Sequence, residues 1–279
     1  MPELPEVETI RRQLEPELLG SVIVDCAAFD HPKFTPAHLA VGHRVVGIRR
    51  RGKYLLVGLA AVGAAPDPTH ELVIHLGMTG RLWIEPDDHH ALEATDQPYQ
   101  RARWRLDDGR TMVFSDVRRF GRIAVTVRND HRGLNTLAQM GPEPFDPAFQ
   151  PEPLRRGVNA SRQAVKTQLL SQRLVAGLGN IYADEALWAA RVHPGARRIT
   201  RAQAERLSET IREVLAAGIA AGGTTLRDYR DASGATGRFQ MQLRCYGLAG
   251  HPCERCGTPL ARTVIDARST TFCRTCQRR

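Results

Sequence analysis

The stretch Cys253-Glu-Arg-Cys256, followed after sixteen residues by Cys273-Arg-Thr-Cys276, decides the fold at the C-terminal end of the chain. Two C-x2-C pairs at this spacing are typical of a tetrahedral zinc site made of four thiolates. Gly257 and Pro259, just after the first pair, favour a turn. Because four thiolates complete the coordination shell, we expect one structural Zn2+ that holds a β-hairpin too small for its own core.

Two disulfides or a redox pair are the alternatives for these four cysteines. The sequence shows neither a secretory signal nor a membrane span, so disulfides are not favoured. Cys26 and Cys245 are then left as ordinary thiols.

The charge of the chain indicates a polyanionic partner. Its 279 residues carry a net charge of +9 with a pI near 9.7, and 42% of them are hydrophobic, enough for substantial cores. Residues 238–279 hold eight arginines against Glu254 and Asp266, a net of +6. Zinc with four thiolates adds −2, so the finger stays basic and suits phosphate contacts.

Upstream of the cysteines, residues 136–237 are predicted to be mainly helical. A Pro-rich connector at 141–147 opens this region. Apolar periodicity then predicts four helices, near 147–156, 161–171, 181–191 and 200–221. The last helix ends at Gly222-Gly223.

The first half of the chain combines one helix with many strands. Apolar residues three and four apart predict a helix over 3–19 that stops at Gly20. Residues 21–127 are predicted to be strands that pack as two sheets face to face. Within them, 101–106 alternates arginine with apolar residues, which predicts a strand with one basic face.

These patterns together predict an α+β fold. It has an N-terminal helix plus a two-sheet β-sandwich over 1–135, a helical domain over 136–237 and a C-terminal zinc hairpin over 238–279.

The N-terminal stretch Met1-Pro2-Glu3-Leu4-Pro5-Glu6 carries a candidate nucleophile. Removal of Met1, which the small residue behind it permits, would leave Pro2 as a terminal secondary amine. Such an amine titrates near pH ~8, against ~10.4 for lysine, so far more of it is neutral and nucleophilic at pH 7. Glu3 and Glu6 lie within one helical turn and could exchange protons with it. The alternative is that Pro2 and Pro5 merely start a helix.

Seven motifs in order give the chain a wider resemblance. They are Pro2-Glu-Leu-Pro-Glu-Val-Glu-Thr, Arg51-Gly-Lys-Tyr-Leu-Leu, His75-Leu-Gly-Met-Thr-Gly, Asp116-Val-Arg-Arg-Phe-Gly, Gly177-Leu-Gly-Asn-Ile-Tyr-Ala, Gly222-Gly-Thr-Thr-Leu-Arg-Asp and the four-cysteine finger. Over essentially its whole length the chain resembles bacterial formamidopyrimidine-DNA glycosylases. The resemblance implies a helix–two-turn–helix in the helical domain.

The resemblance implies an enzyme that excises oxidised purines, such as 8-oxoguanine and formamidopyrimidines, and then cuts the strand. Pro2 would attack C1′ of the damaged nucleotide, and Glu3 would donate and accept protons. The iminium would then permit β- and δ-elimination without a catalytic metal. Lys53 matches the family lysine that assists proton transfer; alternatively it is a strand-end lysine in solvent. Arg268 matches the finger arginine implicated in the last elimination.

Base flipping leaves a gap in the duplex that the protein has to fill. In the family a methionine, an arginine and a phenylalanine fill it, and they match Met78, Arg118 and Phe120 here. The alternative is that Met78 and Phe120 belong to the core. Residues 224–240 match the family's mobile loop that closes over the flipped base.

Two further residues match DNA contacts of the family. Asn180 ends the Gly-rich motif before a helix and implies a phosphate contact, or else it is a simple N-cap. Lys166 aligns with a lysine near the lesion strand.

Two departures from the family pattern concern charge. Arg101 and Arg103 stand where relatives commonly have histidines, and we expect DNA contact, by Arg101 in particular, to survive through a different kind of charge. Leu248 stands where the family usually has arginine, which puts one phosphate contact in doubt.

The partner implied is double-stranded DNA containing oxidised bases, with no membrane contact, for a monomer acting at the nucleoid in the bacterial cytoplasm. The related endonuclease VIII branch is the nearest alternative, but it typically has glycine where this chain has Leu4. A non-catalytic DNA-binding protein is the alternative from another class.

Overall fold

The structure is a computed structural model that describes residues 2–86 and 98–278. The chain forms two compact units, Met1–Ala138 with Gly222–Arg238, and Gln139–Ala221 with Phe239–Arg279. Segment Gly222–Arg238 therefore groups with the N-terminal half, while the division into three domains at 135 and 237 stays a prediction. Among the described residues, no helix is both long and apolar enough to cross a membrane.

The first unit opens with helix α1, Leu4–Leu18, close to the predicted 3–19. Eight strands follow it: β1 (Ile23–Ala28), β2 (His43–Arg51), β3 (Tyr54–Ala61), β4 (His70–His75), β5 (Gly80–Glu85), β6 (Gln100–Leu106), β7 (Thr111–Asp116) and β8 (Arg122–Val127). A short 3-10 helix, Thr35–Ala40, separates β1 from β2, and a single turn of helix α2, Asn135–Ala138, ends this part of the chain.

The strands form two antiparallel four-stranded sheets, one in the order β1-β6-β7-β5 and the other in the order β2-β3-β4-β8. One hydrophobic core contains Ile10 of α1, Trp104 and Phe114 of the first sheet, and Val57 and Ile74 of the second. Because both sheets bury one face in the same core, the predicted β-sandwich is confirmed.

The second unit begins with four helices: α3 (Pro151–Asn159), α4 (Val165–Leu170), α5 (Asn180–Ala189) and α6 (Arg201–Ala220). Helix α3 starts four residues later than predicted, because Gln150 is extended and proline is favoured in the first helical turn. Helix α6 starts where predicted, since Thr200 Oγ1 accepts the N–H of Gln203 over 3.2 Å and the Gln203 side chain accepts the N–H of Thr200 over 2.9 Å.

The chain ends in a two-stranded antiparallel hairpin, β9 (Ala261–Ile265) and β10 (Arg268–Phe272). The two residues between these strands, Asp266 and Ala267, both have positive φ, at 50° and 56°. Two left-handed residues give a turn whose twist matches that of the flanking strands. A short 3-10 helix, Phe239–Gln242, lies upstream of the cysteines. The predicted C-terminal hairpin is confirmed.

Candidate active site and nucleic-acid interface

The N-terminal segment places two buried carboxyl groups close to Pro2 in sequence. Pro2, Glu3 and Glu6 are all buried in the first unit. The backbone N–H of Glu3 donates to Glu6 Oε2 over 2.8 Å, which fixes the start of α1. This geometry serves both interpretations of Pro2, as a helix start and as a nucleophile with acids beside it. Met1 lies outside the described residues, so its removal stays a prediction.

Glu6 also anchors the segment Gly222–Arg238. Its Oε1 accepts the backbone N–H of Thr224 over 2.6 Å. A Cβ on Gly223 would lie 2.8 Å from Glu6 Cγ, and Gly223 has φ +87°, so both space and backbone conformation require glycine. One carboxyl group thus contacts the amide of Glu3 and the first residue of the segment 224–240, which matches the family's mobile loop.

Lys53 precedes β3, and His75 ends β4, the strand that pairs with β3. Lys53 sits in the turn between β2 and β3 and is only 9% exposed, so the alternative of a solvated lysine is wrong. Burial, and then the charges of Lys53 and Arg122, lower the pKa of His75 to about 4. The ring is therefore neutral at pH 7. Because its Nδ1 accepts the N–H of Gly77 over 3.2 Å, the proton resides on Nε2, which is a donor.

Two adjacent turns carry the three predicted gap-filling side chains. Met78 lies between β4 and β5, whereas Arg118 and Phe120 lie between β7 and β8. The turns are in backbone contact, since a Cβ on Gly77 would come within 2.5 Å of the nitrogen of Gly121. Phe120 is 49% exposed, and the Arg118 guanidinium lies 4.7 Å from its ring centre. The core alternative is therefore wrong for Phe120, whereas Met78 is half-buried.

Arg101 is buried, and the first sheet holds its guanidinium. Nε donates to the carbonyl of Asp116 over 2.9 Å, and the guanidinium lies 4.9 Å from the ring centre of Phe29. Burial lowers the pKa of Arg101. Arg103, two residues further along β6 on the predicted basic face, forms an ion pair with Glu85, with 3.0 Å between Nη2 and Oε2. DNA contact by Arg101 stays a prediction.

In the second unit, Lys166 and Asn180 converge on one carbonyl of the hairpin. Lys166 Nζ and Asn180 Nδ2 donate to the oxygen of Ser269 over 3.0 and 3.1 Å. The Lys166 side chain has no exposed surface, and its Nζ lies 2.6 Å from Asp184 Oδ1. The N-cap of α5 is Gly179, so the alternative that Asn180 is the N-cap is wrong. DNA contacts by Lys166 and Asn180 stay predictions.

Arg268 is the first residue of β10, directly after the left-handed Asp266-Ala267 turn. Its side chain is exposed, and its carbonyl accepts from Thr270 Oγ1 over 3.1 Å. The next residue, Ser269, is the one that Lys166 and Asn180 hold. The structure therefore fixes the backbone beside Arg268 and leaves its guanidinium at the surface.

Comparison with known proteins gives consistent matches along the chain. The family model described as the formamidopyrimidine-DNA glycosylase N-terminal domain matches residues 1–123, the H2TH domain of the same enzyme matches 140–230, and a zinc finger found in FPG and IleRS matches 250–279. The formamidopyrimidine-DNA glycosylases of Deinococcus radiodurans and Thermus thermophilus are each 44% identical; the matches cover 99% of this chain and 97% and 98% of theirs.

The chain belongs to the formamidopyrimidine-DNA glycosylase family. The crystal structure of MutM (Fpg) from Thermus thermophilus matches with a TM-score of 0.87 at 44% identity, over 99% of this chain and 98% of that one. The Lactococcus lactis Fpg in complex with abasic-site DNA matches with a TM-score of 0.84 at 32% identity, over 99% and 100%. The family resemblance seen in the sequence motifs is confirmed.

The zinc finger of the family is built here by four thiols that meet at one point. The Sγ atoms of Cys253, Cys256, Cys273 and Cys276 all lie within 4.8 Å of one another. Four converging sulfur donors fit a closed tetrahedral Zn2+ site with no open position, so the metal is structural. Cys26 and Cys245 lie outside the cluster, as expected. Leu248, where the family usually has arginine, packs on the apolar cluster that contains Cys253.

Three residues of the first unit have contacts that the sequence does not reveal. Glu6 is a candidate for proton exchange because it lies close to Pro2, but its sequence position does not show that it anchors Thr224, 218 positions away. His75 and Asp116 each begin a motif that resembles the family, yet the resemblance gives roles only to the methionine, the arginine and the phenylalanine within those motifs. Their position is a signal in itself, because a polar side chain at the end of a core strand needs a hydrogen-bond partner if the fold covers it.

Proposed function

We propose that this chain is a DNA glycosylase and abasic-site lyase of base excision repair that removes oxidised purines from duplex DNA. The observation that carries the proposal is the placement of Pro2 at the start of α1, followed by buried Glu3 and Glu6, in a chain that matches the family over 99% of its length. The relatives are named for formamidopyrimidine, and a Lactococcus lactis Fpg mutant is described in complex with DNA containing Fapy-dG.

The chemistry starts from the amine of Pro2 once Met1 is removed. The neutral secondary amine attacks C1′ of the damaged nucleotide, and the purine leaves as the glycosidic bond breaks. Glu3 transfers the protons that base loss and sugar ring opening require. The resulting iminium acidifies the C2′ hydrogen, so that β-elimination and then δ-elimination expel the two flanking phosphates.

Lys53 and Arg268 are proposed to assist at different steps. Lys53 is buried beside a neutral histidine whose Nε2 is a donor, a setting that suits an amine handling protons or phosphate. Arg268 is exposed on an anchored strand. Because a guanidinium is a poor acid, we assign Arg268 the orientation of a phosphate during the last elimination rather than proton donation.

Extrusion of the damaged base is proposed to depend on Met78, Arg118 and Phe120. An exposed phenylalanine with an arginine against its ring is a suitable wedge, since apolar side chains inserted between base steps stabilise kinked DNA. The arginine would face the unpaired base on the opposite strand. Residues 224–240 are proposed to cover the flipped purine, with the backbone N–H of Thr224 held by Glu6.

The partner is duplex DNA with an oxidised base, bound by a protein of net charge +9 that carries one structural Zn2+ in a basic finger. Asn180 is proposed to contact a phosphate at the start of α5. Direct contacts by Arg101 and Lys166 have less support, because both side chains are already held inside their own units. We propose that the enzyme acts as a monomer on the bacterial nucleoid.

Borohydride trapping tests the proposal. A duplex with one 8-oxoguanine is incubated with the protein and sodium borohydride, and the intact mass and attachment site are determined. The expected result is a covalent adduct at residue 2 after loss of Met1. A non-catalytic DNA-binding protein would give no adduct, and preference for a duplex with an oxidised pyrimidine would favour the endonuclease VIII branch.

Glu3→Gln is the matched variant for this experiment. The substitution keeps the backbone N–H that donates to Glu6 and removes only the ionisable group. It should lose excision of 8-oxoguanine and still form the adduct on a pre-formed abasic site. Full excision by Glu3→Gln would contradict the role given to Glu3.

A further inference from the structure

Asp116 links the turn between β4 and β5 to the turn between β7 and β8. It ends β7, has no exposed surface, and lies at the beginning of the turn that carries Arg118 and Phe120. Its Oδ1 accepts the hydroxyl of Thr79 over 2.5 Å, and Thr79 belongs to the turn that carries Met78. The carboxyl group therefore binds across from one turn to the other.

The same carboxyl group also shapes its own turn. Oδ2 accepts the N–H of Gly121 over 2.7 Å, and Oδ1 accepts the N–H of Arg118 over 3.2 Å. The Thr79 hydroxyl accepts that N–H of Arg118 as well, over 3.1 Å. Both oxygens of Asp116 are thus used by groups on either side of Phe120.

Close backbone packing makes this joint sensitive to small shifts. A Cβ on Gly121 would lie 2.9 Å from the carbonyl oxygen of His75 and 3.1 Å from Asp116 Oδ2. A Cβ on Gly77 would lie 2.5 Å from the nitrogen of Gly121. Two turns packed this tightly move together, provided that the carboxyl group holds them in register.

We propose that Asp116 is a positioning residue for base extrusion, which makes Met78, Arg118 and Phe120 enter the duplex as one preassembled wedge. This inference rests on the proposed function, because it names what holds the proposed gap-filling side chains. Asp116 has no exposed surface, so we assign it no direct part in the reaction. Substitution of Asp116 should therefore impair the reaction on duplex DNA, where the wedge has to fill the gap left by the flipped base, and not on single-stranded DNA.

Asp116→Asn tests this role on two substrates. The amide nitrogen replaces one acceptor with a donor, so it opposes the N–H of Gly121 or disturbs the Thr79 side. We expect excision of 8-oxoguanine from duplex to fall tenfold to a hundredfold. Cleavage of a single-stranded oligonucleotide with an abasic site, which leaves no gap to fill, should stay within twofold of the wild type.

Thr79→Val is the second variant, and it decides the question if Asp116→Asn does not fold. It removes the hydroxyl between the turns and should lower duplex excision three- to tenfold while sparing single-strand cleavage. Thr126→Val is the matched control, because the buried Thr126 hydroxyl has no hydrogen-bond partner in the part of the chain that the structure describes. It should change neither rate.

Equal losses on both substrates would show that Asp116 only maintains the fold, and unchanged duplex excision would show that the joint is not needed. Either result overturns the inference. Failure of the proposed function itself is distinguishable, because the wild type would then cleave neither substrate.

Discussion

The two compact units stabilise their strands by different means. In the first unit, α1 and both sheets contribute large side chains such as Trp104 and Phe114 to one apolar core. In the second, the cluster beneath the terminal hairpin contains five buried residues, three of them cysteines: Trp188, Cys245, Cys253, Leu260 and Cys273. In the finger, metal binding supplies the folding free energy that burial of apolar side chains supplies in the sandwich.

Because the two units are stabilised differently, we expect loss of the metal to unfold only the second unit's finger. The sandwich contains Pro2, Glu3 and Lys53, while the unit with the finger contains Asn180 and Arg268. Loss of metal should therefore remove DNA affinity and leave the fold around Pro2 intact.

The largest effect is expected from Cys273→Ser. Binding of Zn2+ to a structural site contributes about 10 kcal/mol or more, so the finger should unfold and affinity for lesion duplex should be lost. Hydrogen exchange should show fast amides in β9 and β10 and unchanged protection in β3 and β4. Cys26→Ala, at a buried cysteine of the sandwich, is the control and should leave the finger protected. If Cys273→Ser bound lesion duplex as tightly as the wild type, the finger would not be needed for DNA binding.

A smaller effect is expected from Lys166→Met. The substitution leaves Asp184 buried without its cation, which costs about 3–5 kcal/mol when one partner of a buried pair is removed. Denaturant unfolding should show this loss. Lys33→Met is the matched control, because the Lys33 amine donates an exposed hydrogen bond, to the carbonyl of Arg119 over 3.0 Å, and pairs with no carboxylate in the part of the chain that the structure describes. Similar losses in both variants would mean that burial of the pair is irrelevant.

Between pH 6.5 and 4, His75 in the first unit and Asp184 in the second should change the free energy of unfolding in opposite directions. Burial lowers the pKa of His75 from 6.5 to about 4. The folded first unit therefore binds this proton more weakly than the unfolded chain and loses about 3 kcal/mol as the pH falls to 4. Burial raises the pKa of Asp184 from 3.8 to about 6. Its folded form binds the proton more tightly, so this contribution grows over the same interval.

Difference curves isolate the two groups. The free energy of unfolding is measured against pH for the wild type, His75→Gln and Asp184→Asn. The wild type should lose more stability than His75→Gln on acidification and less than Asp184→Asn. If the curve of a variant runs parallel to that of the wild type, the group replaced in that variant does not contribute to the pH dependence of stability.

The smallest effect on stability is expected from exposed apolar residues, one in each unit. Phe120→Ala and Met241→Ala should each change the free energy of unfolding by no more than about 0.5 kcal/mol, because their side chains are 49% and 83% exposed. Excision from duplex should fall at least tenfold in Phe120→Ala and stay unchanged in Met241→Ala. Equal activity in the two variants would count against a wedge at Phe120.

Local signals in the sequence predict the two long helices and the metal ligands correctly. The apolar period of three and four predicts α1 and α6 to within one residue at each end, and cysteine spacing alone identifies the finger. The helical period acts over a few residues, where chain geometry fixes which side chains meet, and the two C-x2-C pairs have the spacing that zinc ligands typically show.

Partners far apart in the chain could not be predicted. Lys166 meets Ser269 across 103 positions, so nothing near Lys166 in the sequence reveals that its amine is buried. Arg103 and Arg105 were expected to form a basic face, but they pair with Glu85 and with Asp25 on other strands. Strand order decides these pairs, and alternation within one strand does not reveal it.

The hydrogen bond between Glu6 and Thr224 spans 218 positions, and Gly223 beside it has no room for a side chain. Any mutation that enlarges Gly223 must displace Glu6, and Glu6 holds the amide of Glu3. We therefore expect substitutions at Gly223 and at Glu6 to be non-additive in their effect on stability, because each one alters the contact that the other makes. A change in the middle of the segment, which lies away from this contact, should not show such coupling.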